Sequence, residues 1–410
     1  MIRSIWLCII LSLSSFGLRA QQTPYVILVS FDGFRYDYVA QYKPPNFLSF
    51  IQHGSQAEAL IPVFPSKTFP NHYSLVTGLY PGHHGLVDNY FFDLSRSELY
   101  TMKSKERVGD PYYYNGVPLW KLAQQQGVKS ASYFWVGSEI PLPGWHPDYY
   151  FSYDGSVPFE ARVDKVLEWL TLPEKDRPHF ITLYFSSPDQ ESDDHGPISE
   201  ETRQGVLGVD ALLGRLMTGL AKLNLPVNVI LVSDHGASEL TVTKDAFIFL
   251  DELLDLKNSS IKVANGGSQV HLYANNNQQL DSLYHFLLTK KNHFDVLRRK
   301  DFPARWHYNN DRSGDLLIVA EPGYNFRDGN RPKFMQTIKE GDKLGMHGYD
   351  PYVLKDMQGI FYAQGPNIKQ GKIIPAFENI HIYLLIARIL KLTTPPTDGD
   401  ENVLKQLYKE

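Results

Sequence analysis

The chain has 410 residues, enough for one large domain or two modest ones with a sizeable core. Hydrophobic content of 43% and charged content of 21% are ordinary for a soluble globular protein. A net charge of -5 with no basic run argues against a nucleic-acid duplex as the partner.

Arg3 precedes an apolar run over 5–18, and Leu18-Arg19-Ala20 offers a small-residue cleavage site before Gln21. Residues 1–20 therefore read as a cleaved signal peptide, too short an apolar run for a membrane span. The expected mature chain, 21–410, is a single catalytic domain that is secreted or periplasmic. The only cysteine, Cys8, falls in the signal, which leaves no disulfide framework and no thiolate metal site.

Residues 25–31 form a continuous apolar run, the pattern of a buried parallel strand, ending at Asp32-Gly33. A carboxylate past a strand end is where open α/β sheets place ligand chemistry, although Asp-Gly also caps helices. Residues 46–53 read as a helix closed by Gly54. An alternating run over 59–64 then enters Pro65-Ser66-Lys67-Thr68-Phe69-Pro70-Asn71-His72, with a helix start after it. A hydroxyl at such a turn is placed for nucleophilic attack, but a threonine alcohol needs a base or a metal to activate it. The same octapeptide also describes a loop holding a buried threonine. The glycine-rich turn over 77–85 carries His83 and His84, read as surface groups or as supports behind a site, and leads to Asp88-Asn89. The Asn89 amide is a candidate oxyanion donor.

A helix is predicted over 117–126 and a strand over 130–135. The aromatic, proline-rich stretch 141–158 is a candidate pocket wall. A helix over 159–170 and a buried strand over 180–185 lead to a loop holding Asp189, Glu191, Asp193, Asp194 and His195. So many acids repel one another unless a cation sits among them, so the choice is a solvated turn or a metal site. A helix over 202–223 and a strand over 227–232 end at Ser233-Asp234-His235-Gly236. Three apolar strands each ending in an acid are hard to explain as three independent caps. An inserted α+β subregion is expected over about 242–315, after which a buried strand resumes at 315–320. His347 sits in a glycine-flanked loop, and a strand over 358–363 and a helix over 380–392 close the chain. The alternation predicts an α/β fold, a mainly parallel central sheet sandwiched by helices, with a smaller α+β insertion.

Pooling the strand ends gives Asp32, Thr68, Asp189, Asp234, His235 and His347, with Asp193 or His195 in addition. Carboxylates and imidazoles without thiolates suit zinc. Two such ions would clamp the attacking and leaving oxygens of a displacement at phosphorus, one of them activating Thr68.

In these segments the chain resembles the nucleotide pyrophosphatase/phosphodiesterase family of the alkaline phosphatase superfamily. The resemblance is carried by Ser30-Phe31-Asp32-Gly33-Phe34-Arg35, Phe64-Pro65-Ser66-Lys67-Thr68-Phe69-Pro70-Asn71-His72, His84-Gly85-Leu86-Val87-Asp88-Asn89, Ser233-Asp234-His235-Gly236 and His347-Gly348-Tyr349-Asp350. It implies two Zn2+ ions, one held by Asp32, Thr68, Asp234 and His235, the other by Asp189, His347 and the residue at 193. It further implies that Thr68 is the nucleophile of a phospho-threonine intermediate and that Asn89 binds a phosphoryl oxygen. Phe69 and Tyr153 match the pair that sandwiches a nucleotide base. The expected partner is a small phosphodiester, a nucleotide, and the expected state a monomer. One position departs from the family pattern, Asp-x-x-x-His, where this chain has Asp189-Gln190-Glu191-Ser192-Asp193. An anion there makes the centre less electropositive, which points to a changed metal preference or impaired activity. The alternatives are a phosphomonoesterase on the same scaffold and a binding protein with a degraded metal site.

Overall fold

Strand β1, Tyr25–Phe31, is buried along its whole length. Val26 and Leu28 point into one hydrophobic core and Tyr25, Ile27, Val29 and Phe31 into another, so the period-two alternation of a strand serves two apolar faces. This is the signature of a sheet covered on both sides. The computed structural model describes residues 24–256 and 261–410, so the signal segment read over 1–20 lies outside the described residues.

The remaining strands of the central sheet are β2 (Ser55–Ala57), β3 (Ser130–Tyr133), β4 (Tyr149–Tyr150), β5 (Phe180–Phe185) and β6 (Val227–Val232). A second sheet contains β7 (Ile261–Asn265), β8 (Gln269–Ala274), β9 (Phe294–Arg298) and β10 (Leu316–Ala320). The chain then returns to the central sheet through β11 (Phe361–Gln364) and β12 (Ile373–Ile374). In space the central sheet runs β12-β2-β11-β6-β1-β5-β3-β4. Strands β6, β1, β5, β3 and β4 are mutually parallel, and β11 alone runs antiparallel to both its neighbours.

Helices α1 (Pro45–His53), α2 (Thr68–Thr77), α3 (Phe159–Leu170), α4 (Asp189–His195), α5 (Glu200–Leu220), α6 (Asn277–Thr289) and α7 (Ile382–Ile389) cover the sheets. Apolar residues of α1, α3 and α5 (Phe47, Val163, Leu213) fill one core beneath β1; those of α2 and α7 (Val76, Ile386) fill the other. Helix α5 starts at Glu200 because the Ser199 side chain accepts the Thr202 N–H, satisfying one of the free donors of the first turn.

Two expectations are corrected. The acid-rich stretch after β5 is helix α4 rather than a loop. Strand β10 does not rejoin the central sheet: it pairs antiparallel with β8 and β9 in the order β7-β8-β10-β9, with Leu283 and Leu287 of α6 packed on it. The separate small sheet therefore extends to Ala320.

Candidate metal centre

The parallel register aligns Ser30 of β1 with Val232 of β6, and Phe31 with Phe185 of β5. The first residues beyond these three strands consequently emerge side by side at the carboxyl end of the sheet, where α/β proteins place their ligands. Asp32 and Asp234 are buried there, and the Gly33 N–H donates to Asp234 Oδ1 at 3.2 Å. Asp189 opens α4, held by its own N–H donating to the Asp32 carbonyl at 3.0 Å. Gly33 is tightly enclosed: at φ +66°, a Cβ on it would lie 2.6 Å from Asp189 Oδ1.

Two ligand clusters result. Asp32, Asp234 and His235 form one, Asp189, His235 and His347 the other, with the ligand atoms of each within 4.8 Å of one another. His235 Nε2 lies 3.2 Å from Asp234 Oδ2, 3.5 Å from Asp32 Oδ1 and 3.4 Å from the Thr68 hydroxyl. Its Nδ1 is bound to the Gly236 carbonyl at 3.0 Å, and the His347 Nδ1 to the Ser66 carbonyl at 3.0 Å. Each ring is thereby oriented with Nε2 left as the ligand atom. The two imidazoles stack 3.9 Å apart.

The donor set fits divalent metal. Asp32 Oδ1, Asp189 Oδ1 and Asp234 Oδ2 are buried with no hydrogen-bond partner, which is costly for carboxylates unless a cation meets them. Burial, and then the Asp234 charge, push Asp32 well above the usual carboxylate range; burial and Asp193 do the same to Asp189. Burial and Asp189 raise Asp234 to about 8. Burial holds His347 at about 3, with the charge of Lys67 adding to it, and burial with His347 holds His235 well below its ordinary value. Neutral imidazoles and crowded acids at one point are the charge pattern that a bound cation reverses.

Thr68 is the first residue of α2, partly exposed, after a turn closed by Asn71. The Asn71 amide donates to the Pro65 and Lys67 carbonyls at 2.9 Å, and its oxygen accepts the Val63 N–H at 2.8 Å. Asn89 Oδ1 accepts the Phe69 N–H at 2.9 Å, which fixes the side chain and turns its NH2 group outward from α2. Tyr153 is 46% exposed and packs edge-on against Phe134 at 5.1 Å; Phe69 is partly buried beside the core. Asp193 stands one helical turn after Asp189, on the same face of α4, partly buried but outside both clusters. Burial raises it to about 7, against the opposing charges of Lys67 and Arg327. His195 is exposed at the end of α4 and does not join the ligands.

Sequence reasoning missed Tyr184, whose hydroxyl donates to Asp32 Oδ2 at 2.6 Å, and the supporting role of His72. His72 Nδ1 binds the Thr68 carbonyl at 2.9 Å and Nε2 meets Ser30 Oγ at 2.8 Å, so it braces the first turn of α2 against β1.

A helix-covered, mainly parallel sheet with this cluster at its strand ends is an alkaline phosphatase-like α/β fold. It superposes on human ectonucleotide pyrophosphatase/phosphodiesterase 5 with a TM-score of 0.86 at 30% identity, covering 94% of this chain and 100% of that one. An inactive variant of the murine counterpart in complex with AMP matches with a TM-score of 0.84 at 31% identity, over the same shares of each chain. By sequence, the chain is 37% identical over 405 residues to human ectonucleotide pyrophosphatase/phosphodiesterase family member 1, covering 95% of this chain and 42% of that protein. It is 36% identical over 400 residues to the venom phosphodiesterase CdcPDE of Crotalus durissus collilineatus, covering 95% and 47%. The chain thus spans less than half the length of these curated relatives. The family model for type I phosphodiesterase / nucleotide pyrophosphatase matches residues 26–350, and the chain belongs to that family.

Proposed function

We propose that this chain hydrolyses phosphodiester or pyrophosphate bonds of nucleotides through a covalent phospho-threonine on Thr68, with two zinc ions at the centre. The observation that carries this reading is the three unpartnered carboxylate oxygens gathered with two imidazoles, one of which, His235, lies 3.4 Å from the Thr68 hydroxyl. Asp32, Thr68, Asp234 and His235 would hold one ion, and Asp189, Asp193 and His347 the other. When bound, the ions supply Lewis acidity, lowering the pKa of the Thr68 hydroxyl and neutralising charge on the attacking and leaving oxygens.

The chain's own groups do the rest. Thr68 Oγ1 forms the new bond to phosphorus as the bond to the leaving oxygen breaks, and water later cleaves the Thr68 ester. The Asn89 NH2 donates to a phosphoryl oxygen, because its carbonyl is already engaged by the Phe69 N–H. His72 keeps α2 in place and the Tyr184 hydroxyl keeps Asp32 oriented. Tyr153 and Phe69 offer ring faces for a base. The AMP complex of the murine relative supports a nucleotide at this site. Residues 1–20 are proposed as a cleaved export signal ahead of one monomeric catalytic domain; no described helix is long and apolar enough to cross a membrane.

The test is to compare a nitrophenyl ester of thymidine monophosphate, a nitrophenyl phosphodiester and a nitrophenyl phosphomonoester, each with zinc and with chelator. Zinc-dependent cleavage of the nucleotide ester, lost by on the order of 10⁴-fold or more in Thr68→Ala, is expected. Preference for the monoester would hand the site to the monoesterase reading, and binding without turnover would favour a degraded centre.

A further inference from the structure

Asp88 lies deep in the protein, 0% exposed, next to the proposed phosphoryl-oxygen donor Asn89. Its two carboxylate oxygens have separate tasks. Oδ1 accepts the backbone N–H groups of Asn89 at 2.6 Å and Tyr90 at 3.4 Å, fixing the backbone that carries the Asn89 side chain. Oδ2 accepts from the Gln269 amide and from His271 Nε2 at 3.0 Å, both on β8 of the inserted sheet. The approach is close: a Cβ on Gly266, in the turn before β8, would lie 2.9 Å from Oδ2. An acceptor-only group suits this position, since all four facing groups are donors. Burial works against ionisation, but the bond and charge of His271, with Lys67 and Gln269, outweigh it and hold the carboxyl below its ordinary range.

The other end of the same strand turn reaches the second ligand cluster. Ser268 Oγ lies 2.5 Å from Gln269 Oε1 and 2.9 Å from the His347 carbonyl. The single Ser268 proton is shared between these two accepting oxygens, and the Asp88 carboxylate, which only accepts, sets the Gln269 amide with its NH2 toward Oδ2. The loop that follows has no slack: a Cβ on Gly348, at φ +106°, would lie 2.1 Å from Ser268 Oγ and 2.4 Å from Lys67 Cε.

We propose that Asp88 is the positioning residue for Asn89, and that the chain Asn89–Asp88–Gln269–Ser268–His347 makes the inserted sheet the strut that holds the phosphoryl-oxygen donor and the His347 ligand loop at one fixed separation. The proposal deepens the diesterase reading and rests on its assignment of Asn89.

Asp88→Asn removes an acceptor facing four donors and can cost the fold, so Gln269→Met is the informative variant: it keeps the volume and cuts the link. With Asn89 present, Gln269→Met is expected to lower kcat about tenfold, with KM for the nucleotide ester within twofold. In an Asn89→Ala background the same substitution is expected to change kcat less than twofold, because the residue it acts through is gone. An equal loss in both backgrounds, or no loss in either, overturns the proposal. Ser268→Ala gives a second reading by zinc competition against a chelating dye. One of two zinc equivalents should weaken about tenfold and the other stay unchanged; unchanged affinities for both overturn the link to His347. If the wild-type chain turns over no diester, the function proposed above fails, and this titration still decides the link between the inserted sheet and the His347 loop.

Discussion

Asp32 and Asp234 each stand two residues beyond the aligned pair Ser30 and Val232 on neighbouring parallel strands, so sheet register alone brings them together. Asp189 and His347 come instead from a two-turn helix and a glycine loop, joined by packing between them, and share His235 with the first cluster. The strand Lys343–Met346 presses Gly345 onto α4, where a Cβ would meet the Ser192 carbonyl at 2.5 Å. Moving a ligand of the first cluster means moving the core of the molecule. A ligand of the second can change one side chain at a time. Beside the second, one helical turn along α4 from Asp189, this chain carries Asp193, where the family resemblance implies histidine.

The largest effect expected from this contrast is at the first cluster. Asp234→Ala should remove one of two bound zinc equivalents and reduce diesterase turnover on the order of 10⁴-fold; metal analysis of the purified variant beside its kcat checks it. Retention of both ions would mean that the register-set cluster is not a metal position. At the second cluster, Asp193→His should tighten only the weaker zinc equivalent, by about 10-fold to 100-fold, in a competition titration. A shift of both equivalents would erase the distinction between the two. The smallest effect is on pH dependence. Asp234 and Asp193 are raised from 3.8 to about 8 and about 7 in the metal-free fold. Acids with raised folded pKa values give their full stability below the unfolded value and lose it as the pH rises through the folded one. The melting temperature of the chelated protein should therefore fall from about pH 4 to pH 8. Zinc should restore more of it at pH 8 than at pH 6, and Asp193→Asn should flatten the fall between about pH 4 and pH 7. A chelated protein whose melting temperature rises across this range would contradict these assignments.

The register-set half of the site was also the legible half. Strands over 25–31, 180–185 and 227–232 agree with the predicted apolar runs residue for residue, because a strand buried on both faces stops where the apolar run stops. The acids at their ends follow directly. Helix α4 was not legible, since seven residues including four acids match no apolar period. Its signals were chemical: Pro188 ahead of it, acids in the first turn facing the helix dipole, and Gly196 behind. Only on that helix does the spacing of Asp189 and Asp193 acquire meaning. Tyr184 was hidden inside an apolar run, where alternation gives the face but not the partner. The pairing of Asp88 with His271 spans 183 positions and leaves no local trace. For β10, its burial was readable but not the sheet it joins, because an apolar run does not encode its neighbours.

The bare Cα of Gly33 is wedged between the Asp234 carboxylate, which takes its N–H, and Asp189, whose oxygen occupies the space of the missing side chain. It is in effect a spacer one atom thick between the two clusters. In a library randomised over the centre, position 33 should therefore tolerate no replacement while position 193 accepts several. The gap between the two clusters would then be the most heritable dimension of the site, and the residue at 193 the most readily evolved.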